Sequence, residues 1–329
     1  MHFERDVAND SSEGLSYRYN VMKKTYHLCI SADDEVMFRD QEDLNRGFNC
    51  FALSLYKTGS TGIVETFMTT HCHLMAETDD PEGLIYNMRM PYSKLFNNKY
   101  HRHGRVGEQR HFQIEAVGFY HKQAAVIYTL RNAVHHGVVP IPYAYPHSTT
   151  NHIFRTAMGK PAIEDVLPRK SFYRHIGRRA EYPDSYQMDK TGLFVRSSVL
   201  DIPQVENLLV TPRAFDYHMC RKTNEEWIKD QNNDNNGLPP ITMADIEKGV
   251  KTHSIEDMLA YENGRADYRK LSDLDICRMI DKDLVLKYGK LSVYQLTRQE
   301  KREIAELLYR QFHVGKAQII RCLAMKEWK

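Results

Sequence analysis

At 329 residues with a formal net charge of +2, the chain is long enough for one large domain or two ordinary ones, and it lacks the global basic excess of a general polyanion binder. Its six cysteines (Cys29, Cys50, Cys72, Cys220, Cys277 and Cys322) are scattered without a close pair, which suits buried free thiols in a reducing compartment better than a disulfide framework or a zinc knuckle. Residues 1–13 are polar and acidic and no apolar run is long enough to cross a membrane, so a soluble cytoplasmic protein without a membrane partner is expected.

Residues 1–24 read as a loosely held polar lead. A first strand is predicted over 25–31. Asp40 then caps a helix that carries Leu44, Phe48, Phe51 and Leu55 on one face and stops at Gly59. Two strands follow as a hairpin bent near Thr69-Thr70. A helix over 80–100, a turn at 104–107, a strand over 112–117 and a helix ending near His136-Gly137 complete the region. The βαββαβα order implies an α+β fold, an antiparallel sheet flanked by helices. Pro140, Pro142 and Pro146 mark a boundary after this 25–150 domain.

Beyond it, 151–230 reads as a mixed extension of unknown role in which Lys190-Thr191-Gly192-Leu193 makes a hairpin turn. Residues 231–240, polar and ending in Pro239-Pro240, read as a linker. Residues 241–329 are mainly helical, and Thr297 with Glu300 has the spacing of a capping box. Residues 311–323 look like the turn and next helix of a partial helix-turn-helix. Two uses stay open for this tail: reading DNA, or packing and oligomerisation, which would allow a homodimer.

The chemistry concentrates between these landmarks. In the β-branched segment 64–77, period-two alternation puts His71 and His73 on one face and Cys72 on the other. Two adjacent imidazoles on a rigid strand form half of a divalent-metal site. Tyr128 and Asn132, four apart on the predicted helix, project from one helical face. A neutral phenol, with a pKa near ~10, is a poor nucleophile, so a tyrosine that attacks phosphate needs a metal to polarise the phosphorus and orient it. Two nitrogens and an amide oxygen suit Mg²⁺ or Mn²⁺. His135 and His136 fall at the helix C-terminus, where the dipole favours positive charge.

Taken in order, Thr25-Tyr26-His27-Leu28, Met37-Phe38-Arg39-Asp40, Thr70-His71-Cys72-His73-Leu74, His103-Gly104-Arg105-Val106-Gly107 and the run from Tyr128-Thr129-Leu130-Arg131-Asn132 to Val139 resemble the single-tyrosine HUH transposases, in particular the REP-associated tyrosine transposases. The resemblance spans about residues 25–150. It departs in having Asn132-Ala133-Val134 where the family usually has Asn-Pro-Val, and Thr70 where Asn usually precedes the first histidine. It implies an HUH core of ferredoxin-like or RRM-like type with the metal site at the sheet centre. It also implies Tyr128 as nucleophile and His71, His73 and Asn132 as metal ligands. The activity implied is nicking and rejoining of single-stranded, hairpin-forming DNA through a 5′-phosphotyrosine, by a nucleoid-associated enzyme. Two alternatives are a domesticated DNA-binding regulator that keeps the fold, and a replication-initiator or relaxase-type nickase.

Between Ile85 and Lys122 seven Lys or Arg stand against two acids, interleaved with Tyr92, Phe96, Tyr100 and Phe112, a pattern that suits phosphate contact and base stacking along unpaired nucleotides. Arg89, Lys94, Arg102, Arg105 and Arg110 are the expected DNA contacts, with Arg131 added from the tyrosine helix. Gly104 and Gly107 would let backbone approach phosphate closely.

Overall fold

The computed structural model describes residues 23–32, 35–161, 165–220, 239–248, 250, 261–262, 265–266 and 271–328. The lead (1–24, except Lys23 and Lys24) and most of the 231–240 segment lie outside these described residues. Four strands, β1 (Lys24–Ser31), β2 (Thr61–Phe67), β3 (His71–Thr78) and β4 (Phe112–Glu115), form an antiparallel sheet in the order β2-β3-β1-β4. Helices α1 (Gln41–Thr58) and α2 (Pro81–Tyr100) cover one face, and α3 (Gly118–His135) covers the other. This is the α+β architecture expected.

Local chemistry explains the elements. The Asp40 carboxylate accepts from the Asp43 amide to cap α1, and Gly59 ends it with φ +62°, a left-handed conformation that costs glycine little. Leu44, Phe48, Phe51 and Leu55 fill a core with Leu28, Ile30, Cys72 and Leu74 from the sheet and Leu84, Met88 and Phe96 from α2. The β2–β3 hairpin turns at 68–70, where the Met68 amide donates to the His71 carbonyl. β4 is shorter than expected, because Ala116 and Val117 lead directly into α3.

Residues 142–209 close the β2 side of the sheet. Thr66 bridges Ser148, the Phe67 amide donates to the His147 carbonyl, and Gly62 bridges Leu200. An edge strand presents unpaired amides that invite pairing with other chains, and these segments cover them. The expected turn at 190–193 is present: the Gly192 amide donates to Asp189, and Asp189 donates back to Leu193.

The C-terminal part holds a second apolar cluster that includes Ile276, Ile280, Ile304, Leu308 and Ile319. Helices run over Arg298–Phe312, with Thr297 and Glu300 in a capping box, and over Lys316–Cys322. The second helix is only seven residues long and buries Gln318, Ile319, Arg321 and Cys322, with Arg321 donating to both Asp273 oxygens. Four of its seven side chains are committed to packing, and Lys316 is exposed. Arg39, fully buried, donates to both Asp281 oxygens at 2.8 and 2.9 Å and to the Cys322 carbonyl at 2.8 Å, tying this part to the sheet core. All six cysteines are free, but only five are buried; Cys220 is exposed, against expectation. Among the described residues, no helix is long and apolar enough to cross a membrane.

Candidate functional site

β3 is an inner strand, held by β2 and β1 on either side, so its side-chain directions are fixed by two ladders. His71 and His73 sit opposite Ser31 and Cys29 of β1 and face α3, while Cys72 joins the core on the α1–α2 side. Helix α3 lays Tyr128 and Asn132 against the two imidazoles. Asn132 Oδ1 lies 3.0 Å from His71 Nε2, and Asn132 Nδ2 donates a long bond of 3.4 Å to the Tyr128 hydroxyl. The Tyr128 ring meets the His73 ring edge-on at 5.3 Å, and the two histidine rings are 5.1 Å apart. His71, His73 and Asn132 are fully buried and Tyr128 is 1% exposed.

More groups converge here than the motif announced. Thr70, which stands where the HUH pattern has Asn, places its hydroxyl 3.0 Å from His71 Nδ1 and so orients that ring. His27 on β1 holds its Nε2 3.0 Å from His73 Nδ1. The His136 ring is 4.8 Å from His71, and neither of its nitrogens has a hydrogen-bond partner. His135 bonds the Glu247 carboxylate, which arrives on a short helix (Met243–Glu247) whose Ile246 packs with Ile241 against the α3 core. The hydrogen-bonded His121 Nε2 and Pro239 carbonyl fix the start of that segment.

Burial sets the electrostatics. It pushes the His71 imidazole down to about 4, with the Asn132 bond opposing, and His27 down to about 3. Burial and then the neighbouring histidines hold His73 well below its usual value, and His136 likewise. All four rings are therefore neutral at pH 7, and His136, although it caps α3, does not carry the positive charge that the helix end favours. The Tyr128 phenol is held well above 10 by burial and then by the Glu247 carboxylate.

The donors fit a divalent ion of modest demands. His73 Nε2 is buried without a partner, and His71 Nε2 and Asn132 Oδ1 lie side by side, giving two neutral nitrogens and an amide oxygen. Among the described residues, no group of three or more His, Cys, Asp or Glu is arranged to hold a metal.

No protein-family model matches the chain, and no curated protein does. Among solved structures, that of the REP-associated tyrosine transposase bound to a REP hairpin is similar over 46% of this chain and 90% of its own, at 14% identity and a TM-score of 0.37.

The basic residues do not form one track. Lys94, Arg102 and Arg105 line an open cleft of about 960 Å³ with His101 and His103 at the C-terminal end of α2. Arg102 pairs there with Glu35, and Arg105 donates to the Gln109 carbonyl. Arg89 is 7% exposed and donates to the Glu108 and Gln109 carbonyls, so it pins the loop from inside. Arg110 is exposed on that loop. Arg131 lies on α3, across the sheet from α2, and donates to the His218 carbonyl. Gly104 has φ +92° and open space beside it, whereas a side chain at Gly107 would press on the Ser31 carbonyl at 3.0 Å. Gly107 therefore serves loop packing against β1.

Sequence reasoning quoted His27 only within the resemblance, gave His136 only a place at the helix end, and did not single out Glu247. His27 had a readable signal, since period two on β1 puts it on the same face as Cys29, opposite His73. Glu247, 112 residues from its partner His135, had none.

Proposed function

We propose that this chain is a divalent-metal-dependent enzyme that nicks and rejoins single-stranded, hairpin-forming DNA through a covalent tyrosine intermediate. One observation carries the reading: a tyrosine hydroxyl, an amide and two neutral strand-borne imidazoles form one buried cluster, linked through Asn132. Mg²⁺ or Mn²⁺ held by His71, His73 and Asn132 would supply Lewis-acid polarisation of the scissile phosphate. The protein's own residues do the rest.

His71 and His73 offer lone pairs because burial keeps them neutral. Asn132 holds the phenol in register with the histidines. The Glu247 carboxylate, within hydrogen-bond reach of the Tyr128 hydroxyl, is placed to take the phenol proton. Tyr128 Oη then bonds to phosphorus as the bond from phosphorus to the 3′ oxygen breaks and that oxygen takes up a proton from solvent, leaving a 5′-phosphotyrosine and a free 3′-hydroxyl. The phosphodiester energy is kept in the new ester, so the reverse attack rejoins a strand without ATP. Lys94, Arg102 and Arg105 are the cationic group best placed to hold the DNA backbone.

The test is Tyr128→Phe on a hairpin with a single-stranded flank in Mn²⁺. The wild type should give a protein–DNA adduct that survives sodium dodecyl sulfate, and the variant none at unchanged DNA affinity. An adduct formed by the variant would remove Tyr128 from the role.

A further inference from the structure

The reaction proposed above leaves two buried imidazoles at the site, His27 and His136, without a task, and His27 is the one bonded to a histidine of the pair. His27 is fully buried on β1, one of the two central strands. Its Nε2 lies 3.0 Å from His73 Nδ1, and the two rings are 5.0 Å apart, tilted by 31°. The remaining nitrogens, His27 Nδ1 and His73 Nε2, are buried without partners. Because β1 and β3 are hydrogen-bonded in register from Lys24↔Thr78 to Ser31↔His71, the two rings are set by backbone and cannot drift independently.

We propose that His27 is a positioning residue that fixes the tautomer of His73, accepting from its Nδ1–H so that the Nε2 lone pair is left free for a divalent ion. The inference rests on the metal reading of His71 and His73. Two neutral imidazoles at this distance share one proton. Either His73 Nδ1–H donates to His27 Nε2, or His27 Nε2–H donates to His73 Nδ1. The second arrangement puts the other proton of His73 on Nε2 and closes that nitrogen to any cation. The first leaves a buried lone pair, and burying one without a partner is costly unless something binds it. His71 differs: its Nε2–H donates to Asn132 Oδ1 and its Nδ1 lies 3.0 Å from the Thr70 hydroxyl, so a cation at Nε2 would displace the Asn132 bond and leave Thr70 as the orienting partner. Each histidine of the pair thus has its own orienting partner, one from the preceding residue and one from the neighbouring strand.

The experiment is Mn²⁺ titration calorimetry on the full chain with His27→Phe, His27→Gln and His27→Asn. Gln carries its amide oxygen close to the place of the imidazole Nε2, whereas Asn ends short of it. Loss of such an orienting bond typically lowers metal affinity about 10–100-fold. His27→Phe and His27→Asn should show that loss and His27→Gln should recover most of it. Nitrogen-15 spectra of the metal-free protein should find the His73 proton on Nδ1 in wild type and His27→Gln, and a mixture of tautomers in His27→Phe. Wild-type affinity in both His27→Phe and His27→Asn overturns the positioning role while leaving the ligands in place. If His27→Phe does not fold, equal affinities of the Gln and Asn variants overturn it. A wild type that binds no Mn²⁺ overturns the inference together with the metal reading.

Discussion

Acid should unfold this protein in a pH range where carboxylates are still ionised, and the buried histidines set the size of the effect. Burial holds His27 down to about 3, His71 down to about 4 and His147 down to about 3. An unfolded imidazole titrates near 6.5. Between those values the unfolded chain binds protons that the folded chain refuses, so stability is complete above pH ~7 and is lost as the pH falls through 6.5 towards the folded values. At pH 5, roughly 1.5 units below the unfolded value, each ring costs about 2 kcal/mol at about 1.4 kcal/mol per unit. The three together remove on the order of 6 kcal/mol, comparable with the whole stability of many domains. His73 and His136, also lowered, act in the same direction. Burial raises the carboxyls of Asp43 and Glu65, which opposes the loss, so a histidine variant is needed to isolate it. Urea unfolding in chelator at pH 7.5, 6.5, 5.5 and 5.0 measures the slope. His147→Gln should reduce the loss from pH 7.5 to 5 by about 2 kcal/mol, since it removes one such ring. A free energy that stays level over that range in the wild type, or a His147→Gln slope identical to it, would refute the reasoning.

Three further outcomes are expected. His71→Ala with His73→Ala should abolish Mn²⁺ binding in calorimetry, and Cys72→Ser should leave it unchanged because that side chain packs on the other face; retained binding in the double variant removes these ligands. Asp281→Ala strips the carboxylate from a buried guanidinium and should cost roughly 3–5 kcal/mol in denaturant unfolding, a loss under ~1 kcal/mol meaning that solvent replaces it. Arg105→Ala with Arg110→Ala, both exposed, should flatten the log–log salt dependence of single-strand binding by about 1.4, at roughly 0.7 per phosphate contact; an unchanged slope would make this loop a solvated face.

The sheet and its first helices were legible because their signals are local. Asp40 and Gly59 bound α1 through capping and a left-handed turn, and alternation alone put His71 and His73 on one face of β3 with Cys72 on the other. Four-residue spacing likewise put Tyr128 and Asn132 together. Counting charge was less informative, because charge says nothing of direction: Arg89 belongs to the same basic run as Arg105, yet it points inward and pins carbonyls. The contribution of Glu247 depends on how the chain returns to α3 after more than a hundred residues, and no periodicity encodes that path. The cover that residues 142–209 lay over β2 is of the same kind, made of single bridges at Ser148 and Leu200 that leave no repeating pattern.

The fork made by Arg39 also says something about when the fold can be finished. Its carboxylate partner lies 242 residues later and its carbonyl partner 283 residues later. At a synthesis rate of about 5–20 residues per second, the guanidinium waits roughly 15–60 s between leaving the ribosome and meeting Cys322. Over that interval the guanidinium lacks both of these partners. Until residues 281 and 322 have been made, the charge at this point has no partner.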